Sequence, residues 1–238
     1  LKEVKRDNFK LFISISENLT NFWTKTGIPK DKQQSLHDGF AKDLFKNVKD
    51  KQTSRIKLNI PNTEKVVMYI GSLYPDREIE NILISAKATP KLNYYIIGGP
   101  NEYSDLYKRK ATEMGLNNVV FPGYVAHSEV PNYLLAADYL LGLWSRKVPT
   151  INYCSPLKVF EYMASGNVVI VHDFPTIREV LTDNEDALFV NPDDKEHLSE
   201  ILNKAQNINT EILSRNSKRL VYENYTWEKR AKLIVDRL

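Results

Sequence analysis

Six short apolar runs, at residues 66–70, 94–97, 119–121, 139–143, 168–171 and 187–190, recur along the chain from Val66 onward, with stretches of helical length between them. Their apolar residues stand at consecutive positions rather than alternate ones, as in strands covered by helices on both faces. Every interval is long enough for the crossover that joins parallel neighbours. The pattern predicts an α/β fold, a Rossmann-like parallel sheet with helices on both faces. Turn residues mark the strand ends: Gly71, then Gly98-Gly99-Pro100, Pro122-Gly123 and Asn191-Pro192-Asp193.

Ligands of such sheets bind outside the carboxyl ends of the strands. The stretch from Ser155 to Gly166, followed by the apolar run 168–171, reads as a loop, a helix closed by glycine, and a buried strand. Glu161 on that helix is therefore placed to accept hydroxyl protons from a sugar or ribose. The plainer reading is a carboxylate near a helix start, where the macrodipole favours it, or an ion pair with Lys158 three residues earlier. Gly71-Ser72-Leu73-Tyr74-Pro75-Asp76-Arg77 follows the first of the six runs and precedes a helix. Backbone amides and a helix N-terminus hold phosphate at such a position, and Arg77 adds a bidentate donor. Taken alone, an arginine at a helix start is ordinarily solvated, and the loop is neither a Walker loop nor a GxGxxG.

Composition excludes several classes. Thirty-three basic against 30 acidic residues leave a net charge of +3, too near balance to indicate a nucleic-acid surface. Cys154 is the single cysteine, so no internal disulfide and no cysteine-built zinc site exists, which fits a reducing compartment. The four histidines, His37, His127, His172 and His197, show no metal-ligand spacing; His172-Asp173, at a strand end, reads as a turn. No run of 18 apolar residues occurs. Asn18-Leu19-Thr20 and Asn224-Tyr225-Thr226 match the glycosylation acceptor pattern and are read as chance. Leu1 to Asp7 hold neither an initiator methionine nor a signal-peptide core, so the start reads as truncated.

Residues 46–65 turn polar and charged, which places a domain edge there. Residues 1–50, with a strand pattern at 11–16, a helix through Phe22-Trp23 ending at Gly27 and a further strand within 33–40, read as the remnant of an N-terminal domain and its linker. Residues 60–222 form the Rossmann-like domain. Residues 223–238 form a final helix with Thr226 as N-cap, whose Ala231, Leu233, Ile234 and Leu238 are expected to dock back toward the N-terminal domain.

In this order and spacing, Ile13-Ser14-Ile15-Ser16-Glu17, His37-Asp38-Gly39-Phe40, Tyr69-Ile70-Gly71-Ser72-Leu73, Ile96-Ile97-Gly98-Gly99-Pro100 and Phe121-Pro122-Gly123-Tyr124-Val125 resemble the C-terminal half of a GT-B glycosyltransferase of the group-1, or family-4, type. Pro131 to Asp138, Phe160 to Gly166 and Tyr225-Thr226-Trp227-Glu228 complete the resemblance, which runs from about Phe12 to Leu238. It implies a nucleotide-diphosphate-sugar donor bound by Gly71, Ser72, Arg77, Gly98, Tyr124, Val125, Ser155, Leu157, Lys158 and Glu161. Arg77, Lys158 and Glu161 are the catalytic members. Glu161 would hold the ribose, the Gly71 loop and Arg77 the diphosphate, and Tyr124 and Val125 the base. The implied reaction is a retaining transfer of a hexose-type sugar, with no cofactor and no metal. The implied acceptor is a glycan or lipid-linked molecule met through the N-terminal domain. The implied setting is polysaccharide biosynthesis in the cytoplasm, with peripheral membrane association open to the full-length protein. The fragment alone is expected to bind donor without turnover.

Two departures from the family pattern stand out. Ser72 replaces the usual arginine after the first-strand glycine, with Arg77 where lysine is usual, and Tyr153 stands eight positions before Glu161, where a second glutamate is common. Lys158 is expected to compensate for the missing cation. The rival readings are a sugar-nucleotide 2-epimerase of GT-B fold and a catalytically degenerate nucleotide-sugar-binding scaffold.

Overall fold

The structure, a computed structural model, describes residues 8–238; the Leu1 to Asp7 segment read above lies outside the described residues. The six apolar runs form one parallel sheet. In chain order its strands are β3 (Lys65–Ile70), β4 (Leu92–Ile97), β5 (Val119–Gly123), β6 (Tyr139–Gly142), β7 (Val168–His172) and β8 (Leu188–Val190), arranged β5-β4-β3-β6-β7-β8. β6 and β7 are buried from end to end, and β3 from its second residue onward. On β5 the prediction of a strand apolar on both faces fails at Val120, which is 44% exposed. β5 is an edge strand, and its burial alternates.

Two apolar layers sandwich the sheet. One holds Met68, Leu140 and Val169 against Leu134 of α5 (Val130–Ala136), Phe160 and Met163 of α6 (Leu157–Ser165) and Val221 of α9 (Glu211–Asn224). The other holds Val67, Ile96 and Ile170 against Leu83 of α3 (Ile79–Ala88), Tyr107 of α4 (Asn101–Glu113) and Leu202 of α8 (His197–Ala205). Each fully buried aliphatic or aromatic side chain contributes roughly 1.5–3 kcal/mol, so these layers dominate the stability.

The N-terminal segment makes a separate two-stranded parallel sheet from β1 (Phe12–Ser14) and β2 (Gln33–Ser35), joined by α1 (Glu17–Lys25). The polar stretch 46–65 contains a helix that its composition did not announce, α2 (Lys51–Leu58), capped by Asp50, whose carboxylate accepts from the Thr53 amide at 2.7 Å. Arg55 on α2 is buried, with its guanidinium against the amino ends of the strands. A four-residue helix α7 (Pro175–Arg178) follows β7, and α10 (Trp227–Val235) ends the fold. Thr226 caps α10 as predicted, accepting from the Lys229 amide at 3.2 Å. The predicted apolar face of α10 has no buried residue; Leu233, Val235 and Leu238 are exposed. Among the described residues no helix is long and apolar enough to cross a membrane.

Candidate functional site

The strand order reverses between β3 and β6: the chain first builds outward through β4 and β5, then outward on the other side through β7 and β8. A crevice at the carboxyl ends is the default binding place of such a sheet. The loops after β3 and β6 meet there, with Ser145 donating its amide to the Asp76 carbonyl at 2.9 Å. Two glycines make the close approach possible. Gly71 adopts φ +153° and donates its amide to the Ile97 carbonyl at 3.0 Å. A Cβ on Gly98 would lie 1.7 Å from the Gly71 oxygen, so no side chain fits at position 98.

Lys158, in the first turn of α6, reaches across the reversal. A Cβ on Gly71 would lie 2.5 Å from its Nζ. Nζ donates to the Tyr69 hydroxyl at 3.2 Å and lies 4.4 Å from the Tyr69 ring centroid and 5.5 Å from that of Trp144. Lys158 has no carboxylate partner at salt-bridge distance among the described residues; the pairing with Glu161 is not made. Burial, reinforced by the charge of Arg77 and opposed by Glu161, pushes the Lys158 ammonium down to about 7. Arg77 donates from Nε to the Ser72 hydroxyl at 3.1 Å, with Asp76 3.6 Å away. The serine that replaces an arginine thus orients the arginine that remains. Tyr69 in turn donates to the Ser72 carbonyl at 2.8 Å, fixing the loop.

On the same helix Tyr162 joins α6 to the end of β3: its hydroxyl donates to the Ile70 carbonyl at 2.9 Å and accepts from the Ile70 amide at 3.1 Å. This holds Lys158 and Glu161 at a fixed height above the sheet. Glu161 is three-quarters covered, and burial raises its carboxyl above the usual range against the opposing pull of His127 and Lys158. Its Oε1 lies 3.4 Å from His127 Nε2, on the loop after β5. Sequence reasoning missed His127 because 34 residues separate the pair; the only available signal was its position two residues beyond Val125.

The crevice abuts the N-terminal segment. Ser155 accepts the Asp38 amide at 2.8 Å, so its hydroxyl serves the seam between β2 and the crevice loop. Glu179, just beyond α7, accepts the Glu17 and Asn18 amides at 2.7 and 3.2 Å and pairs with His37 Nε2 at 3.0 Å. Burial lowers the His37 pKa, with Glu179 opposing. Ser16 caps α1 through the Leu19 amide and donates to the Tyr153 carbonyl at 3.0 Å.

Gly71, Ser72, Arg77, Gly98 and Lys158 are therefore drawn to one end of the sheet, with Glu161 one turn further along α6. Tyr124 is 76% exposed and Leu157 48% exposed, both free to meet a ligand, whereas Val125 is partly buried against the core. His172 is buried with Nδ1 2.8 Å from the Trp144 carbonyl, and burial drives its pKa down to about 4, so it is a neutral structural group. Among the described residues no group of three or more metal-ligating side chains forms.

The parallel six-stranded sheet between helix layers matches the Rossmann-like fold of GT-B glycosyltransferase neighbours. The chain belongs to the glycosyl transferases group 1 family, whose model matches residues 50–227. It is similar to Anabaena HepE in complex with UDP and glucose, with a TM-score of 0.78 at 19% identity, covering 95% of this chain and 62% of that one. It is 22% identical over 219 residues to an uncharacterized glycosyltransferase of Methanocaldococcus jannaschii, covering 87% of this chain and 54% of that protein. It is 26% identical over 193 residues to the alpha-monoglucosyldiacylglycerol synthase of Streptococcus pneumoniae, covering 72% of this chain and 41% of that protein. The chain spans about half the length of the curated relatives it matches.

Proposed function

We propose that this chain is the donor-binding part of a retaining, metal-independent glycosyltransferase that moves a hexose-type sugar from a nucleotide-diphosphate sugar to a glycan or lipid-linked acceptor. The observation that carries the reading is Lys158: a cation reaching over the strand reversal to Gly71, held among the described residues by a phenol and two aromatic faces. Such a charge is costly when buried without a counter-charge and is satisfied by a diphosphate. Arg77, oriented by Ser72, supplies the second cation, and preorganised donors at a leaving oxyanion contribute roughly 3–4 kcal/mol each to the transition state. Glu161 accepts from the ribose hydroxyls, with His127 beside it, and Tyr124 and Val125 flank the base. The reading is supported by the UDP named for the Anabaena neighbour and by the glycolipid product named for the Streptococcus relative. Residues 60–222 are the donor domain in this reading, and residues 1–50 the edge of the acceptor side.

Thermal unfolding with UDP, GDP, ADP and dTDP tests it. One nucleotide, at 100 times its dissociation constant, is expected to stabilise the fold by about 2.7 kcal/mol. The gain should vanish in Glu161→Ala. Indifference to all four nucleotides would support the degenerate scaffold instead.

A further inference from the structure

We infer that the cleft between α1 and the loop ahead of α6 is a saccharide subsite, built on the rings of Phe22 and Tyr153. This rests on the glycosyltransferase reading above and names a second sugar-binding surface for it. A cavity of about 590 Å³ lies there, lined by Asn18, Asn21, Phe22, Lys25, Asn152 and Tyr153 among others. Phe22 and Tyr153 are 44% and 39% exposed, and their rings meet edge to face with centroids 6.0 Å apart. Further rings extend the cluster: Trp23 packs edge to face on Phe22 at 5.1 Å and Phe12 on Trp23 at 5.6 Å. The backbone is fixed as well, since the Tyr153 carbonyl accepts from Ser16 and its amide donates to the Thr150 carbonyl at 2.9 Å.

The chemistry of the lining selects the occupant. Sugar rings present an apolar C–H face to an aromatic ring and hydroxyls, both donor and acceptor, around the edge. Here the rings are bordered by the side-chain amides of Asn18, Asn21 and Asn152, none of which has a hydrogen-bond partner among the described residues. Among the described residues no carboxylate lines the cleft and Lys25 is the one charged side chain in it, so the lining is suited to a neutral polyhydroxylated molecule. An aliphatic chain would leave the three amides unused. Tyr153 lies two residues before Ser155 and five before Lys158, so the loop that carries the platform continues into the crevice. A bound sugar would thus lie beside the proposed donor, as one unit of an acceptor glycan does. The tyrosine in place of a common glutamate is then a change of ligand rather than a loss.

Saturation-transfer NMR on the chain tests this, with methyl α-D-glucopyranoside, methyl α-D-mannopyranoside and maltotriose as probes at up to about 50 mM, the range of weak single-site affinities. Transfer to ring protons is expected for at least one probe. Phe22→Ala and Tyr153→Ala should each weaken it at least tenfold, and Asn21→Ala by a smaller factor. All three positions are exposed, so these variants should fold. Transfer to none of the probes, or transfer indifferent to the variants, overturns the subsite, as does a dimer in light scattering that Phe22→Ala dissolves. UDP stabilisation is measured on the same samples. A normal nucleotide gain without saccharide transfer sinks the subsite alone. Saccharide transfer without a gain from any nucleotide upholds the subsite and sinks the donor reading.

Discussion

The two ends of the sheet handle buried positive charge in opposite ways. At the amino ends of the strands, Arg55 is 3% exposed and held by five hydrogen bonds: it donates to the carbonyls of Ala136, Pro61, Asn62 and Glu64 and to Asp138 Oδ2 at 2.8 Å. Asp138 also accepts from Lys51 and from the Val66 amide, each at 2.7 Å. At the carboxyl ends, Lys158 has one phenol and two ring faces. A fully satisfied charge network fixes structure, and an incompletely satisfied one is held ready for something else. The same fold therefore keeps a paired and an unpaired buried charge a strand length apart.

Breaking the satisfied end should have the largest effect. Asp138→Ala leaves Arg55 buried without its counter-charge, and about 3–5 kcal/mol should be lost in urea unfolding. A loss under about 1 kcal/mol would mean that the four carbonyls suffice for Arg55. Burial pushes the Asp138 carboxyl up, but Lys51, the Val66 amide and Arg55 outweigh it and hold it below the ordinary 3.8. Its contribution is thus present above that value and lost as pH falls through the lower folded pKa.

Removing the open end should leave the apo fold standing. Lys158→Ala is expected to keep or raise apo stability while erasing the nucleotide gain of about 2.7 kcal/mol in the thermal assay. An unfolded variant would place Lys158 with the structural charges and dissolve the contrast. Titration sharpens it further. With a folded pKa of about 7 against 10.5 unfolded, the Lys158 charge burdens the fold below pH 7, and the burden is relieved as pH rises from 7 toward 10.5. Nucleotide affinity should move the other way, falling about tenfold between pH 6 and pH 8 in calorimetry, because one pH unit beyond a pKa leaves a tenth of the sites protonated. Lys158→Arg should flatten that dependence. Smallest of all is the surface pair Arg146 and Asp193, bidentate at 2.7 and 2.6 Å and exposed; Arg146→Ala should leave the melting temperature unchanged.

The sheet was legible because its burial demands are: consecutive apolar residues such as 168–171 have no other economical place than a strand covered on both faces. Edge character was not legible, since Val119-Val120-Phe121 reads like any core strand until its place beside β4 alone is known. Helix α2 was hidden because its role is to supply one buried arginine rather than an apolar stripe. In the crevice, Gly71, Arg77, Lys158 and Glu161 follow from strand ends and from the family resemblance, all being local signals. His127 and Glu179 act across 34 and 162 residues, and no local pattern marks either contact.

The cap on α1 bears on how the chain comes to fold. A nine-residue helix is marginal by itself, and the costly step is its first turn. Here two amides of that turn are answered by Glu179, a residue that leaves the ribosome some 160 positions later. The N-terminal strand-helix-strand therefore gains its full stability only after β7 and α7 are in place. This segment precedes the sheet in the sequence yet settles after it, and a cut between residues 40 and 175 would leave α1 without the residue that completes it.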